Sequence, residues 1–240
     1  MNQTIISTYG MSHIGNHRRE NQDRFLVREI NQDHILLAIA DGMGGEAAGG
    51  LASDIAICNM ERIDSQMPAR PEDLSVLLQD AGERIIVITS QNEDLVGMGT
   101  TLTTVLTMKS MAIWAHVGDS RLYHLSNGNL RQITKDHNFV WELIESGEIT
   151  WEEALKHPLR HVLDQCLGSP DMEPDFGSLK LEKGDMLILT TDGLHASISF
   201  ELMHSVLNSS LDLEEMAEIL INKALDNGSR DNLSIVLARV

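Results

Sequence analysis

Five aspartates stand where an apolar, strand-like run begins or ends. Asp41-Gly42 closes the run Ile35–Ala40, and Asp192-Gly193 closes Met186–Thr191. Asp231-Asn232 opens Leu233–Val240, and Asn21-Gln22-Asp23 opens Phe25–Ile30. Gly118-Asp119 lies between Ala112–Val117 and Leu122–Leu125. Any one Asp-Gly pair is an ordinary turn, because both residues suit turn geometry. The recurrence carries more information. If these strand ends lie together, their carboxylates converge, and several ionised carboxylates are not held close without a cation.

Oxygen-only donors suit magnesium, manganese or calcium. No His or Cys occupies these positions, which argues against zinc and copper, and no D-x-D-x-D-G calcium loop occurs. Magnesium or manganese is the better match. Two such ions can lower the pKa of a shared water, place it for in-line attack on phosphorus and offset phosphoryl charge. Arg18 and Arg19 lie just ahead of Asp23. A guanidinium grips phosphate with two hydrogen bonds, which an ammonium does not.

Other chemistries find less support. The chain has no G-x-S-x-G elbow, no G-x-x-x-x-G-K-[ST] loop and no H-E-x-x-H pair. His116, between Ala115 and Val117, reads as a packed strand residue, and His137 and His157 as surface or packing residues. Cys58 and Cys166 are far apart and in no electropositive loop, so a thiol nucleophile is not expected. Gly42-x-Gly44-x-x-Ala47 fits a permissive dinucleotide fingerprint, with Glu61 or Asp64 near the distance of a ribose contact. Asp41 would repel a pyrophosphate there, and the flanking strands do not alternate with crossover helices.

The elements that must position these residues read as one domain over residues 1–240, with no repeat, low-complexity segment or linker. Further strand-like runs are Ile5–Met11 and Thr100–Met108, and the short gaps between runs favour antiparallel pairing. Apolar residues at helical spacing mark helices around Ala48–Ile55, Leu74–Ile88 and Leu213–Leu225, the last with Asp212 as its N-cap. Residues 134–176 form an excursion with short helices at Asp136–Ser146 and Thr150–Lys156. The chain is 42% hydrophobic, enough for a sizeable core, but only 4% aromatic, so that core is aliphatic and Met-rich. The net charge is −18. Nucleic acid and anionic membrane are repelled by it, and cations attracted. No apolar run nears the roughly 20 residues of a membrane helix. The start Met-Asn-Gln-Thr does not resemble a secretory leader. A reduced, cytoplasmic setting fits the cysteine usage.

In order along the chain, Arg18–Asp23, Ala40–Gly45, Gly99–Thr101, His116–Arg121, Thr134–His137, Thr191–Leu194 and Arg230–Asn232 resemble the motifs of the metal-dependent protein serine/threonine phosphatases of the type 2C class, in their compact bacterial form. The resemblance covers nearly the whole chain, and seven motifs in the right order are specific. It implies an α+β fold, a four-layer α-β-β-α sandwich of two antiparallel sheets flanked by helices, with the excursion as a flap. It implies hydrolysis of phosphoserine and phosphothreonine by direct attack of a water or hydroxide bridging two manganese or magnesium ions. By it, Asp41 bridges both ions, the Gly42 carbonyl binds one, and Asp192 and Asp231 hold the other. Asp23 orients water, Arg18 binds the substrate phosphate, and Asp119 holds a third, weaker ion. Asn232 supports Asp231 or a bound water, and Gln22 orients water weakly. Phosphorylated proteins are the implied partners, a serine/threonine kinase or its targets foremost, with a monomer as the default state.

The chain also departs from the family pattern. Met43 stands where some members place a His as general acid. Ala196 stands where many carry a further Asp, which bears on the third ion. Gln22 replaces the Glu of some relatives. The alternatives are a phosphopeptide-binding module without catalysis, which would be free to lose one of the aspartates, and the dinucleotide enzyme.

Overall fold

A computed structural model of the chain describes residues 6–45, 48–64, 70–154 and 157–240. Ile5, Ala47 and Lys156, each named above in a strand, fingerprint or helix, lie outside the described residues. The chain opens with β1 (Ser7–His13), the hairpin β2 (Arg24–Asn31) and β3 (His34–Ala40), and the two-residue β4 (Gly42–Met43). Helices α1 (Ala48–Met60) and α2 (Pro71–Ser90) follow, then short β5 (Gly99–Thr100) and the meander β6 (Leu102–Met108), β7 (Met111–Val117), β8 (Arg121–Ser126) and β9 (Asn129–Gln132). The excursion carries α3 (Phe139–Glu145) and α4 (Trp151–Ala154). It is followed by β10 (Asp175–Lys180), β11 (Met186–Thr190), α5 (Asp192–His195), α6 (Phe200–Leu207), α7 (Leu213–Asp226) and β12 (Leu233–Arg239).

Two five-stranded antiparallel sheets result, in the orders β1-β12-β11-β8-β9 and β10-β7-β6-β3-β2. Successive strand residues point to opposite faces. On β3, Leu37 and Ile39 point between the sheets, while Leu36, Ala38 and Ala40 point at α1 and α2. On β12, Val236 and Ala238 point inward, while Ile235 and Leu237 face α6 and α7. Both faces of these strands are therefore covered. This explains why their sequences are continuous apolar runs rather than alternations. The layers are helix, sheet, sheet, helix, as the resemblance implies. Asp212 caps α7 by accepting the Glu215 amide at 2.9 Å, and Glu215 returns the bond to the Asp212 amide at 3.1 Å.

Three boundaries differ from the sequence reading. Thr100–Met108 is two strands, with Gly99–Thr100 turned away to pair with Gly42–Met43. Asp175 and Phe176, placed at the end of the excursion, begin an edge strand paired with β7. The proposed helix Asp136–Ser146 starts only at Phe139, because Asp136 is held in an ion pair with Arg121. The strand β3 lies between antiparallel neighbours β2 and β6. The stretch around Asp41 therefore does not belong to the parallel β-α-β unit that a dinucleotide fingerprint requires.

Candidate metal centre and active site

Antiparallel pairing brings the five aspartates to one edge of the sandwich. Arg24 at the start of β2 pairs with Ala40 at the end of β3, and Leu102 at the start of β6 with Val117 at the end of β7. In the other sheet, Thr190 at the end of β11 pairs with Arg121 at the start of β8 and with Ile235 near the start of β12. Asp23 and Asp41 adjoin these strands directly, and Asp119, Asp192 and Asp231 lie two residues from a strand end. A cavity of about 1000 Å³ opens at this edge, and Asp41, Asp119, Asp192, Asp231, Gly42 and Arg18 line it.

Each carboxylate is held through its backbone or a neighbouring hydroxyl. The Asp41 amide donates to Thr101 Oγ1 at 2.9 Å, and its carbonyl accepts from the Thr101 amide and the Thr100 hydroxyl, both at 2.9 Å. Thr101 Oγ1 in turn shares a 2.7 Å hydrogen bond with Ser120 Oγ, which ties the Asp119 turn to the Asp41 turn. Asp23 is buried beneath the cavity floor, and its Oδ2 accepts from Thr191 Oγ1 at 2.8 Å and Ser234 Oγ at 2.6 Å. Asp23 precedes a strand of one sheet, while Thr191 and Ser234 belong to the other, so these bonds join the two sheets at the site.

The site is short of positive charge for its carboxylates. Burial, reinforced by Asp192 and Asp231, raises the Asp23 carboxyl to about 7. Burial and the nearby carboxylates, Asp23 first, raise Asp41 well above the ordinary range. Asp119 is raised by burial and by Asp192. Asp23 Oδ1 and Asp192 Oδ1 are buried without a hydrogen-bond partner. Unpartnered buried carboxylate oxygens are costly, and a cation satisfies them. Among the described residues no three His, Cys, Asp or Glu side chains close into a cage. The carboxylates instead ring the floor of an open cavity. This all-oxygen donor set, with two orphaned oxygens, fits hard divalent ions.

Two glycines let the walls close. A Cβ on Gly42 would stand 2.1 Å from the Gly49 carbonyl of α1, and one on Gly193 would stand 2.0 Å from the Asn232 carbonyl. The Asp-Gly pairs are thus crossing points where two backbones touch, and not merely turns.

Three residues given roles above make contacts that the sequence does not announce. Arg18 Nη2 donates to Asp231 Oδ2 at 2.6 Å, so a residue assigned to phosphate and one assigned to metal are paired with each other. Opposite charges facing one cavity account for it. The Asn232 side chain does not reach Asp231. Its Oδ1 accepts the Gln22 amide at 2.9 Å, and its Nδ2 donates to the Ile14 carbonyl at 2.8 Å and the Glu20 carbonyl at 3.1 Å. It staples the Arg18–Asp23 loop, and only its backbone amide supports Asp231 Oδ1, at 2.8 Å. Gln22 donates to the Gly45 carbonyl at 2.7 Å, anchoring the glycine turn.

The structure adds contacts that the sequence did not announce. His161, from the excursion, places Nδ1 3.5 Å from Asp192 Oδ2. Thr191 and Ser234 hold Asp23. His116 is buried as expected of a packed strand residue, yet both ring nitrogens are engaged, Nδ1 with Thr103 Oγ1 at 2.8 Å and Nε2 with the Lys135 carbonyl at 2.9 Å. Burial lowers its pKa to about 3. His137 is likewise buried, 3.2 Å from Asp175 Oδ2, and is not a surface residue. No sequence spacing announces these pairings. The one available signal was the density of Thr and Ser beside the aspartates.

Comparison with known proteins agrees with this arrangement. Residues 9–237 match the family model described as "Protein phosphatase 2C". The chain is 34% identical to protein phosphatase PhpP of Streptococcus pneumoniae, over 95% of this chain and 94% of the relative. It superposes on the crystal structure of the Mycobacterium tuberculosis serine/threonine phosphatase PstP/Ppp with a TM-score of 0.90, at 35% identity and covering 98% of each chain. It also superposes on the catalytic domain of PstP in complex with two manganese ions, with a TM-score of 0.87, 34% identity and coverage of 98% and 97%. With motif order, sandwich, carboxylate edge and these likenesses in agreement, the chain belongs to the protein phosphatase 2C family, the metal-dependent serine/threonine phosphatases.

Proposed function

We propose that the cavity edge is the catalytic centre, and that two manganese or magnesium ions are held there by Asp41, the Gly42 carbonyl, Asp192 and Asp231. The observation that carries this reading is the convergence of four aspartates from both sheets on one cavity, with Asp23 buried beneath them and two buried carboxylate oxygens lacking partners. Manganese or magnesium, when bound, supplies Lewis acidity that lowers the pKa of water and offsets phosphoryl charge. The protein's residues do the rest. Arg18, tethered by Asp231 and half-exposed, presents its guanidinium to the substrate phosphate. Asp23, fixed by Thr191 and Ser234, orients water through its free Oδ1. Water then attacks phosphorus in line, and the bond from phosphorus to the serine or threonine oxygen breaks. Met43 carries no proton to give the leaving oxygen, so that proton comes from water or another group at the site. Asp119 is a donor for a third ion, and Ala196, which also lines the cavity, adds no carboxylate to it.

The substrates are phosphoproteins, and a phosphorylated serine/threonine kinase or its targets is the leading class. The enzyme acts as a single catalytic unit and a monomer in the cytoplasm. Among the described residues no helix is long and apolar enough to cross a membrane. The test is turnover of a phosphothreonine peptide after chelation and after manganese is restored. Activity should vanish and return. Asp41→Asn and Asp192→Asn should abolish it while the circular dichroism spectrum is retained. Wild-type turnover by either variant at saturating manganese would show that the assigned ligands are wrong.

A further inference from the structure

The chain carries 18 Lys and Arg against 36 Asp and Glu. Yet four of those cations, Arg18, Arg19, Arg160 and Arg230, line the one catalytic cavity, and none of the four is a lysine. The carboxylates facing the same cavity are Glu20 and the four aspartates of the floor. Once two divalent ions neutralise that floor, the mouth is a net positive patch on a strongly acidic protein. At physiological salt a charge is felt over about 8 Å, so the local arginines outweigh the distant acidic surface.

We propose that this mouth selects phosphoserine and phosphothreonine segments carrying a second anionic group beside the scissile phosphate, and that Arg160 and Arg230 read that group. The inference rests on the phosphatase reading above and names its substrate class. Arg18 is committed to the floor by Asp231. Arg160 and Arg230 are exposed, come from different elements and form no ion pair among the described residues. Among the described residues the Arg160 side chain donates only to the His157 carbonyl, at 3.4 Å. It also lines a second cavity of about 800 Å³ beneath the excursion, which shares Asp119 and Asp192 with the first. A peptide leaving the catalytic cavity by that route passes Arg160. A planar guanidinium binds either a carboxylate or a phosphate through two parallel hydrogen bonds, so the recognised group is an Asp or Glu side chain or a second phosphate.

The test compares kcat/KM with manganese for matched phosphopeptides. One is flanked by Asp and Glu, one by Asn and Gln, and one by a second phosphoserine. Wild type should prefer the anionic peptides by about five- to tenfold, the size expected of one or two exposed charge pairs. The preference should lie mainly in KM and shrink in 0.5 M salt, roughly three times the physiological ionic strength. Arg160→Gln with Arg230→Gln should erase the ratio, while Arg131→Gln, on β9 away from the cavity, should keep it. A preference shared by both anionic peptides assigns the site to any anion, and one confined to the doubly phosphorylated peptide assigns it to phosphate. p-Nitrophenyl phosphate has no flanks and reports the phosphatase reading separately. If it is hydrolysed while all three peptides react equally, or if the double variant retains the preference, the flank proposal is overturned and the phosphatase reading stands. If neither it nor the peptides are hydrolysed, both fall.

Discussion

Replacing Asp23 with asparagine should flatten the pH dependence of stability in the metal-free protein. Burial raises this carboxyl from 3.8 to about 7. At pH 5 the folded chain therefore holds a proton on Asp23 that the unfolded chain has released. Stability falls with rising pH wherever the folded state binds more protons, so this contribution is lost as pH climbs toward 7. From pH 5 to pH 7 the loss is about 2.3 kcal/mol, because the slope of 1.36 kcal/mol per pH unit tapers as the group titrates near 7. In a chain of this size that is about 5–9 °C in Tm. Asparagine has no proton to lose, and its side-chain oxygen still accepts from Thr191 and Ser234. Asp41 and Asp119, also raised by burial, act in the same direction as Asp23, while the buried imidazoles His116 and His195, lowered by burial, act in the opposite direction between their folded and unfolded pKa values. The informative quantity is therefore the difference between variant and wild type, which removes their shared contribution. Urea unfolding at pH 5 and pH 8, both with chelator, measures it. The variant should gain about 3 kcal/mol on wild type between those pH values. Parallel pH profiles would refute the reasoning, because they would mean that Asp23 is ionised in the folded protein throughout. Manganese at about 100 times its Kd should restore roughly 2.7 kcal/mol to wild type at pH 8.

Arg18→Ala should lower kcat/KM for a phosphopeptide by about 10- to 100-fold, the value of a charge-assisted hydrogen bond, as read by steady-state kinetics. Gly42→Ala should cost about 3 kcal/mol in urea unfolding, because the new Cβ meets the Gly49 carbonyl at 2.1 Å and neither backbone can move alone. Arg121 grips Asp136 through Nε at 2.9 Å and Nη2 at 2.7 Å, and both side chains are largely buried. Arg121→Met should therefore cost about 3–5 kcal/mol by stranding the carboxylate, and adding Asp136→Asn should recover part of the loss in the same assay. Leu37→Ala, between the sheets, should cost about 2–5 kcal/mol with kcat nearly unchanged at temperatures where the variant stays folded.

What the sequence revealed follows from how strongly each element needs its own residues. β3, β11 and β12 are covered on both faces, so nearly every residue is apolar and the runs were plain. β9 buries only Leu130, and β10 is an edge strand whose Phe176 is exposed, so neither left a run to notice. The eight-residue α6 buries only Met203, Val206 and Leu207, too few to mark a helical period. The aspartates were legible because each sits beside a strong strand. Their supports were not. Thr191 and Ser234 meet Asp23 across more than 160 positions of the chain, and Arg18 meets Asp231 across 213. Such pairs are products of the sandwich closing, and local composition does not encode them. His161 reaches Asp192 only because the excursion folds back over the cavity, a path set by turns around His157 and Gly168 rather than by periodicity.

The central claim is that these carboxylates are a two-ion centre. Anomalous diffraction from crystals grown with manganese tests it most directly. Two peaks should appear in the cavity, both beside Asp41, one also reached by the Gly42 carbonyl and the other by Asp192 and Asp231, with the Arg18–Asp231 pair opened. Manganese peaks confined to other surfaces, with Asp23 Oδ1 and Asp192 Oδ1 still unpartnered, would contradict the account.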